Sequence, residues 1–273
     1  MASFSHLVAR TLPGQTPLAD DAAAWWMMCA LRCAWPDALA ASVLPNHLHL
    51  LLACVDPSAE RAKLARLAAA FSRHVGQKRV WLPVEAPRAV SDRAHLQRTV
   101  RYVHLNPCRS GLVDDPLEWP YSTHRGVVGA VADPWVSSGR LGSAIHFRGS
   151  RFRDWYCRYV SVDANGDAQR VCAPQPAKAR GVPTAPLSAV VRAAISATPW
   201  SLRHVRRLAV VVLARHQGWR DTRLLAQAAG VSQRQIQKLM RQHSDELLSA
   251  AALCLGDVRL LNQPFPSTHF VAT

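Results

Sequence analysis

The chain has 273 residues, 49% of them hydrophobic, and a formal net charge of +15 at pH 7. This length is enough for one large domain or two ordinary ones, each with a real core. So large a positive excess indicates a polyanionic partner, with nucleic acid favoured over an anionic membrane surface. No run of 18 apolar residues and no secretory leader is found, so we expect a cytoplasmic protein that makes no membrane contact.

The seven cysteines form no pattern of metal ligands or disulfide partners. Their number is odd, and no Cys-x-x-Cys pair occurs. Cys29 and Cys33 are four residues apart in a helical pattern, where burial as small apolar residues explains them best. A disulfide framework and a zinc ribbon are therefore not expected.

Strand patterns are found in three parts of the first 150 residues. Segment 5–12 predicts a strand, and segment 78–82 predicts a second, short one. Segment 38–55 is mostly strand-like, with Pro45 marking a kink, a bulge or a sheet edge.

Helical periodicity separates these strands, in segments 17–35, 58–76 and 91–106. The third helix is predicted to begin with Ser91 as its N-cap and to stop near Pro107. A loop with aromatic anchors is expected at 117–129. About two strands for each helix predict an α+β domain over residues 1–150, an antiparallel sheet flanked by helices.

Composition divides the rest of the chain into three parts. Residues 151–190 begin with a basic, aromatic segment and continue as a linker rich in Pro and Ala. Residues 191–262 have helical patterns and predict a second, all-α domain. Residues 263–273 are interpreted as a tail.

Two histidines, His47 and His49, lie one residue apart inside a run of leucines. Because strand side chains alternate, both imidazoles should project from one face while the leucines fill the core on the other. Such a face can present two rings to one cation, although an isolated pair is more often two half-buried histidines bonded to backbone carbonyls. Leu51 and Leu52 exclude the His-x-His-x-Asp-His run of binuclear hydrolases, and no His-Glu-x-x-His helix occurs.

A second cluster, residues 100–113, contains Tyr102 and Asn106, which lie one turn apart on the same face of a helix. The phenol is a candidate nucleophile, and the carboxamide oxygen is a candidate ligand for a hard cation. Two histidines and one oxygen leave coordination positions open for a substrate phosphate. A surface tyrosine beside an asparagine helix cap is the alternative. The cluster also contains two candidate nucleic-acid contacts, Arg101 and Arg109.

These two motifs together resemble the HUH single-tyrosine transposases, in particular the REP-associated tyrosine transposases. "LPNHLHLLL" (44–52) is similar to their Pro-Asn-His-hydrophobic-His strand, and "RYVHLNPCRSGLV" (101–113) to the end of their tyrosine helix. His49 and Tyr102 are 102 − 49 = 53 residues apart, close to the spacing in that family. "LEWPYSTH" (117–124) adds a third match, so the resemblance covers about residues 1–130.

The resemblance implies a ferredoxin-like HUH nuclease core that acts on DNA. Tyr102 would attack a DNA phosphate and form a covalent 5′-phosphotyrosine. His47, His49 and Asn106 would hold a divalent cation, Mg²⁺ or Mn²⁺. Single-stranded or hairpin DNA is the implied substrate, and the implied protein is a monomer or homodimer associated with the bacterial nucleoid.

One stretch, "VWLPVEAPRAV" (80–90), departs from the family pattern. Trp81 is retained, but Pro83 and Val84 replace polar and basic residues of the family, which concerns substrate contacts rather than the metal ligands. A catalytically retired, sequence-specific DNA-binding regulator on the same fold is the alternative function, and an unrelated metal phosphohydrolase is a third. No general base is assigned, since His104 would face away from Tyr102 on a helix.

Segment 222–243 predicts a helix-turn-helix, with Gly230 permitting the turn and Ser232 capping the second helix. Its second helix carries side chains suited to base edges and phosphates: Gln233, Arg234, Gln237, Lys238 and Arg241. The preceding helix adds two candidate DNA contacts, Arg206 and Arg207. A solvated helical hairpin with ordinary basic residues is the alternative.

Overall fold

The computed structural model describes residues 3–147, 151–161, 174–177, 183 and 185–261. Most of the predicted linker and the whole predicted tail lie outside these residues. Among the described helices, none combines the length and apolarity needed to cross a bilayer.

The N-terminal part of the chain forms one four-stranded sheet. Its strands are β1 (Phe4–Arg10), β2 (Ala40–Leu44), β3 (His47–Ala53) and β4 (Arg88–Val90). They lie in the order β2-β3-β1-β4, and each neighbouring pair is antiparallel. This order and these directions make two interlocked split βαβ units, the ferredoxin-like arrangement. The predicted α+β class with an antiparallel sheet is confirmed.

Three long helices flank the sheet. Helix α1 (Asp21–Ala34) connects β1 to β2, and α2 (Pro57–His74) connects β3 to β4. The carboxylates of Asp20 and Asp56 accept hydrogen bonds from the first free N–H groups of these two helices. Right-handed crossovers place both connecting helices on one face. Helix α3 (Arg93–Arg109) follows β4 and packs on the other face.

The prediction that segment 38–55 is mostly strand, interrupted at Pro45, is confirmed. The segment is a hairpin, because the Pro45 and Asn46 carbonyls accept hydrogen bonds from Leu18 and Thr11 rather than from a neighbouring strand. The strand predicted at 78–82 was wrong. Segment 78–82 touches the sheet only through an isolated bridge between Trp81 and Thr11. The fourth strand is instead β4, which pairs with β1 over three residues.

The predicted ends of the tyrosine helix were also wrong. Asp92, not Ser91, caps α3, because its carboxylate accepts the His95 N–H at 2.8 Å. Pro107 lies inside the helix, which continues because the Ser110 N–H still donates to the Asn106 carbonyl. A proline removes one donor but leaves the later ones intact, so it need not end a helix within the last turn.

In the part of the chain that the structure describes, eight further helices follow: α4 (His124–Val127), α5 (Ser138–Ala144), α6 (Phe152–Ser161), α7 (Leu187–Ala197), α8 (Arg203–His216), α9 (Thr222–Ala229), α10 (Gln233–Leu239) and α11 (Asp245–Gly256). The segment expected to be a loop at 117–129 contains α4. Helices α9 and α10 are joined by a turn at Gly230, whose φ of 62° is left-handed. Ser232 caps α10 as expected, in a reciprocal capping box with Gln235.

A buried arginine joins the C-terminal helices to the N-terminal part. Arg125 is 2% exposed, and its guanidinium donates to the carbonyls of Leu117, Glu118, Arg259 and Leu260. Burial lowers its pKa to about 10, which still leaves it charged at neutral pH. Four carbonyl acceptors therefore help to satisfy the donors of the buried guanidinium.

A cluster of neutral polar rings lies in the core beneath α3. His104 bonds through Nδ1 to the Tyr156 hydroxyl and through Nε2 to the Thr123 hydroxyl, at 2.8 Å for the latter. The His124 ring lies 5.3 Å from His104 between centroids. Burial lowers the pKa of His104 to about 3 and that of His124 well below its ordinary value. His104 thus faces the core and away from Tyr102, as the helix geometry predicts.

We expect acid to destabilise the protein through this cluster. In the unfolded chain His104 has the ordinary pKa of 6.5, whereas the folded value is about 3. The unfolded chain therefore binds the proton first, and the free energy of unfolding falls as the pH drops through this window, by about 1.4 kcal/mol per pH unit for each such group. Urea unfolding at several pH values between about 7 and 4 measures this slope.

The matched variant is His104→Gln, which keeps a polar side chain but does not titrate. Its slope should be shallower by about 1.4 kcal/mol per pH unit than that of the unmodified chain. Equal slopes in the two proteins would show that His104 does not carry the effect.

Candidate active site

The two predicted histidines share one face of the sheet. In the strand register, His49 lies opposite Val8 and His47 lies opposite Arg10, so the rings and the β1 side chains beside them point the same way. Leu48 and Leu50 are fully buried on the opposite face. The alternation inferred from the sequence therefore holds along the whole of β3.

Helix α3 brings Asn106 onto this face. The Asn106 side-chain nitrogen lies 2.5 Å from His49 Nε2, and the side chain also bonds to His47. His49 Nδ1 lies 2.9 Å from Nε2 of a third histidine, His6 on β1. If the Asn106 amide donates to Nε2, then Nδ1 of His49 carries the proton and donates to His6, which fixes the tautomer of both rings.

Burial keeps all three imidazoles neutral. It lowers the pKa of His6 and of His47 to about 4, and the pKa of His49 well below its ordinary value. The cations of Arg10 and Arg88 act in the same direction. A neutral ring has a free lone pair, so these side chains can ligate a cation at physiological pH without first losing a proton.

Tyr102 lies one helical turn before Asn106 and is half-buried. Its ring centroid is 5.4 Å from that of His49 and 6.1 Å from that of His6. The Arg109 guanidinium lies over the phenol ring, 5.2 Å from the centroid. The structure thus brings the predicted nucleophile beside the predicted metal ligands.

A divalent cation fits the donors that converge here. Among the described residues, no three His, Cys, Asp or Glu side chains are arranged to hold a metal. The carboxamide of Asn106 would be the third ligand of a site beside His47 and His49. Half a turn of that amide presents its oxygen where its nitrogen now meets His49. An amide oxygen suits Mn²⁺ or Mg²⁺, imidazole nitrogens are ligands of transition metals, and three protein ligands would leave positions open for substrate.

Sequence reasoning missed His6. The alternation of segment 5–12 places its side chain on one face with Val8, but nothing local indicates that this face meets His49. Only the antiparallel register of β1 with β3 supplies that contact. A strand pairing inferred from related sequences would have revealed it.

An open cavity of about 290 Å³ lies against Tyr102. Its lining comes from β1, β4 and the first half of α3: His6, Arg88, Val90, His95, Arg98, Thr99 and Tyr102. Of these residues, only Tyr102 was predicted to be functional, because the lining comes from segments far apart in the sequence and Arg88 and Val90 belong to β4, which was not predicted.

The basic residues predicted around Tyr102 have defined contacts. Arg101 Nε donates to the Tyr159 carbonyl at 2.8 Å, so its side chain is turned towards α6. Arg109 is exposed and covers the Tyr102 ring. Arg109 is therefore nearer to the nucleophile than Arg101 is.

In the C-terminal helices, the predicted DNA contacts divide into two groups. Arg206 donates to the carbonyls of Thr198 and Pro199, and Arg207 donates to that of Gly230, so both take part in holding the helices together. The remaining five are exposed along α10 and just beyond it: Gln233, Arg234, Gln237, Lys238 and Arg241.

No family model matches the chain. Among curated proteins, a REP-associated tyrosine transposase of Escherichia coli (strain K12) is 28% identical over 87 residues, which are 31% of this chain and 53% of that protein. The chain thus spans about half the length of that relative. A solved structure described as the REP-associated tyrosine transposase bound to a REP hairpin matches with a TM-score of 0.38 and 23% identity, over 46% of this chain and 79% of the other.

The sequence match leads to the same family as the histidine and tyrosine motifs, over a stretch that is about a third of the chain. The predicted resemblance of this chain to the REP-associated tyrosine transposases is confirmed.

Proposed function

We propose that the protein is a metal-assisted DNA transposase, acting as an endonuclease and strand-transferase through a covalent 5′-phosphotyrosine. The observation that carries this proposal is the convergence of Asn106 on His49, with Tyr102 one turn away on the same helix. The similarity to a named tyrosine transposase over 87 residues supports it.

The reaction exchanges one phosphodiester for another. The Tyr102 phenol oxygen forms a bond to phosphorus while the bond from phosphorus to the 3′ oxygen breaks. The phenol loses its proton, and the departing 3′ oxygen gains one to become a hydroxyl. Attack of that or another 3′ hydroxyl on the phosphotyrosine reverses the step and joins strands, so no external energy source is needed.

His47, His49 and Asn106 would hold the cation, which would stabilise the charge that develops on the non-bridging oxygens of the phosphate. The hydrogen bond between His49 Nδ1 and His6 would hold the His49 ring in one orientation. Helix α3 carries both Asn106 and Tyr102, so the nucleophile and the ligand keep a fixed spacing.

Single-stranded or hairpin DNA is the proposed substrate. The net charge of +15 supports a nucleic-acid partner. Tyr102 is half-buried beside a cavity, and a flexible single strand can bring a phosphate into such a recess more easily than a stiff duplex can.

A sequence-specific DNA-binding regulator is the second candidate. The exposed Gln and Arg side chains along α10, after a tight turn at Gly230, favour it, since such a helix can enter a major groove. The two candidates share DNA binding by α10 and differ in whether Tyr102 reacts.

Replacing the nucleophile should abolish the covalent product. With labelled single-stranded DNA and Mn²⁺, the unmodified chain should give an adduct that survives a denaturing gel, and Tyr102→Phe should give none. Tyr159→Phe is the matched control, because that half-buried phenol stacks on Trp155 and should leave the adduct unchanged. Duplex binding without any adduct would favour the regulator, and cleavage that persists in Tyr102→Phe would indicate a hydrolase.

The affinity for Mn²⁺ should depend on the three proposed ligands and on His6, whose ring bonds to that of His49. In titrations of the DNA-free protein with Mn²⁺, His49→Ala should lose binding, and Asn106→Asp should keep it because a carboxylate oxygen replaces the amide oxygen. His6→Ala should weaken binding by about tenfold or more, the usual cost of losing a partner that orients a ligand. The exposed His74→Ala should bind as the unmodified chain does. Equal affinity in all four variants would disprove the site.

The salt dependence of duplex binding should identify the contribution of α10. If Arg234 and Lys238 contact phosphates, the plot of log affinity against log salt concentration should become shallower by about 0.9 for each contact removed. The double variant Arg234→Gln/Lys238→Gln tests this, and Arg73→Gln, an exposed arginine on α2, is the control. A double variant whose slope matches that of the control would remove α10 from the DNA interface.

A further inference from the structure

We propose that the cavity beside Tyr102 binds one nucleotide of the DNA strand next to the phosphate that Tyr102 attacks. Arg98 and Arg88 would contact its backbone phosphate, and His95 would contact its base. This inference rests on the proposed function, because it takes Tyr102 as the point of attack. It assigns a binding site to residues that lie apart from the predicted metal ligands.

The first argument for a nucleotide site is the position of the cavity beside Tyr102. Tyr102 lines it together with Arg98 and Thr99, which lie one turn earlier on α3. A strand whose phosphate reaches the phenol must continue in some direction, and this recess of about 290 Å³ opens directly beside the ring. Val90 and Thr99 are buried in its lining, so it can take a deoxyribose or a base against them.

The second argument is the positive charge of the arginines that line the cavity. Arg98 is exposed and forms no hydrogen bond or ion pair with any residue that the structure describes. Arg88 is bonded to Glu85 at 2.9 Å, and the same carboxylate holds Arg10 at 2.8 Å. Glu85 thus neutralises one of two neighbouring arginines and holds Arg88 in place at the opening. The cavity keeps a net positive charge, which suits a phosphate.

The third argument is the hydrogen-bonding state of His95, which lines the cavity. His95 is half-buried, and its Nδ1 accepts the Ser91 backbone N–H at 3.3 Å. A neutral ring with Nδ1 as acceptor carries its proton on Nε2, which is then its donor. The Nε2–H lies in the ring plane, so this ring, next to the buried Val90, can donate to the edge of a base that enters the cavity.

Neutral backbone linkages test the phosphate contact. A single-stranded oligonucleotide is made in a series, each member with one methylphosphonate at a different linkage, and the rate of adduct formation is measured with each. In the unmodified chain, a neutral linkage adjacent to the cut should slow adduct formation by about tenfold. In Arg98→Gln and in Arg88→Gln the same linkage should have a smaller effect, because one of its two partners is gone. In the double variant Arg98→Gln/Arg88→Gln the effect should fall below about twofold, because neither partner remains.

The control is Arg66→Gln, an exposed arginine on α2, which does not line the cavity. It should keep the full tenfold sensitivity of the unmodified chain. The same sensitivity in Arg98→Gln and Arg88→Gln as in the control would overturn the assignment.

The base contact has its own test. An abasic site at the adjacent nucleotide should slow the unmodified chain and leave His95→Ala little changed from its own rate on intact DNA. If the unmodified chain gives no adduct with any oligonucleotide, the proposed function fails. The same series of methylphosphonate oligonucleotides is then tested by measuring the dissociation constant of each DNA complex. A linkage that weakens binding to the unmodified chain, and weakens it less in Arg98→Gln or Arg88→Gln, would still assign the phosphate site.

Discussion

The hydrogen bond from Asn106 on α3 to His49 on β3 is the contact on which the site geometry depends. It fixes the tyrosine helix on the face of the sheet that holds the imidazoles. Because Tyr102 is one turn away on the same helix, its distance from the histidines follows from this contact. His6 then holds the far side of the His49 ring, so strand, strand and helix meet at one side chain. The leucines on the opposite face supply the burial that keeps the strands in register.

A second constraint is the shortage of acids. The chain has 33 Lys and Arg against 18 Asp and Glu, so many cations have no carboxylate to pair with. Several arginines donate to backbone carbonyls, as Arg125, Arg206 and Arg101 do. Other arginines stay at the surface and along the cavity, where a polyanion can serve as their partner. The same imbalance accounts for both the internal bonding and the proposed substrate.

Patterns with a fixed period were predictable from the sequence, and contacts between distant segments were not. Strand alternation placed His47 and His49 on one face, and helical spacing paired Tyr102 with Asn106. His6 was missed because the sequence of β1 or of β3 alone does not determine how the two strands pair. Strand β4 was missed because three residues, held by pairing with β1, have no apolar period of their own. Asp92 displaced Ser91 as the cap because either residue type can cap, and the local turn decides.

The hydrogen bonds of Arg125 constrain how the C-terminal helices could be lost in evolution. Its guanidinium connects residues 117–118 with residues 259–260, so a stop codon before α11 would remove the Arg259 and Leu260 carbonyls from a buried cation. The appended helices cannot be shed by truncation without a compensating substitution at this one position. A lineage that discards them should therefore carry an apolar or smaller residue where this chain has arginine.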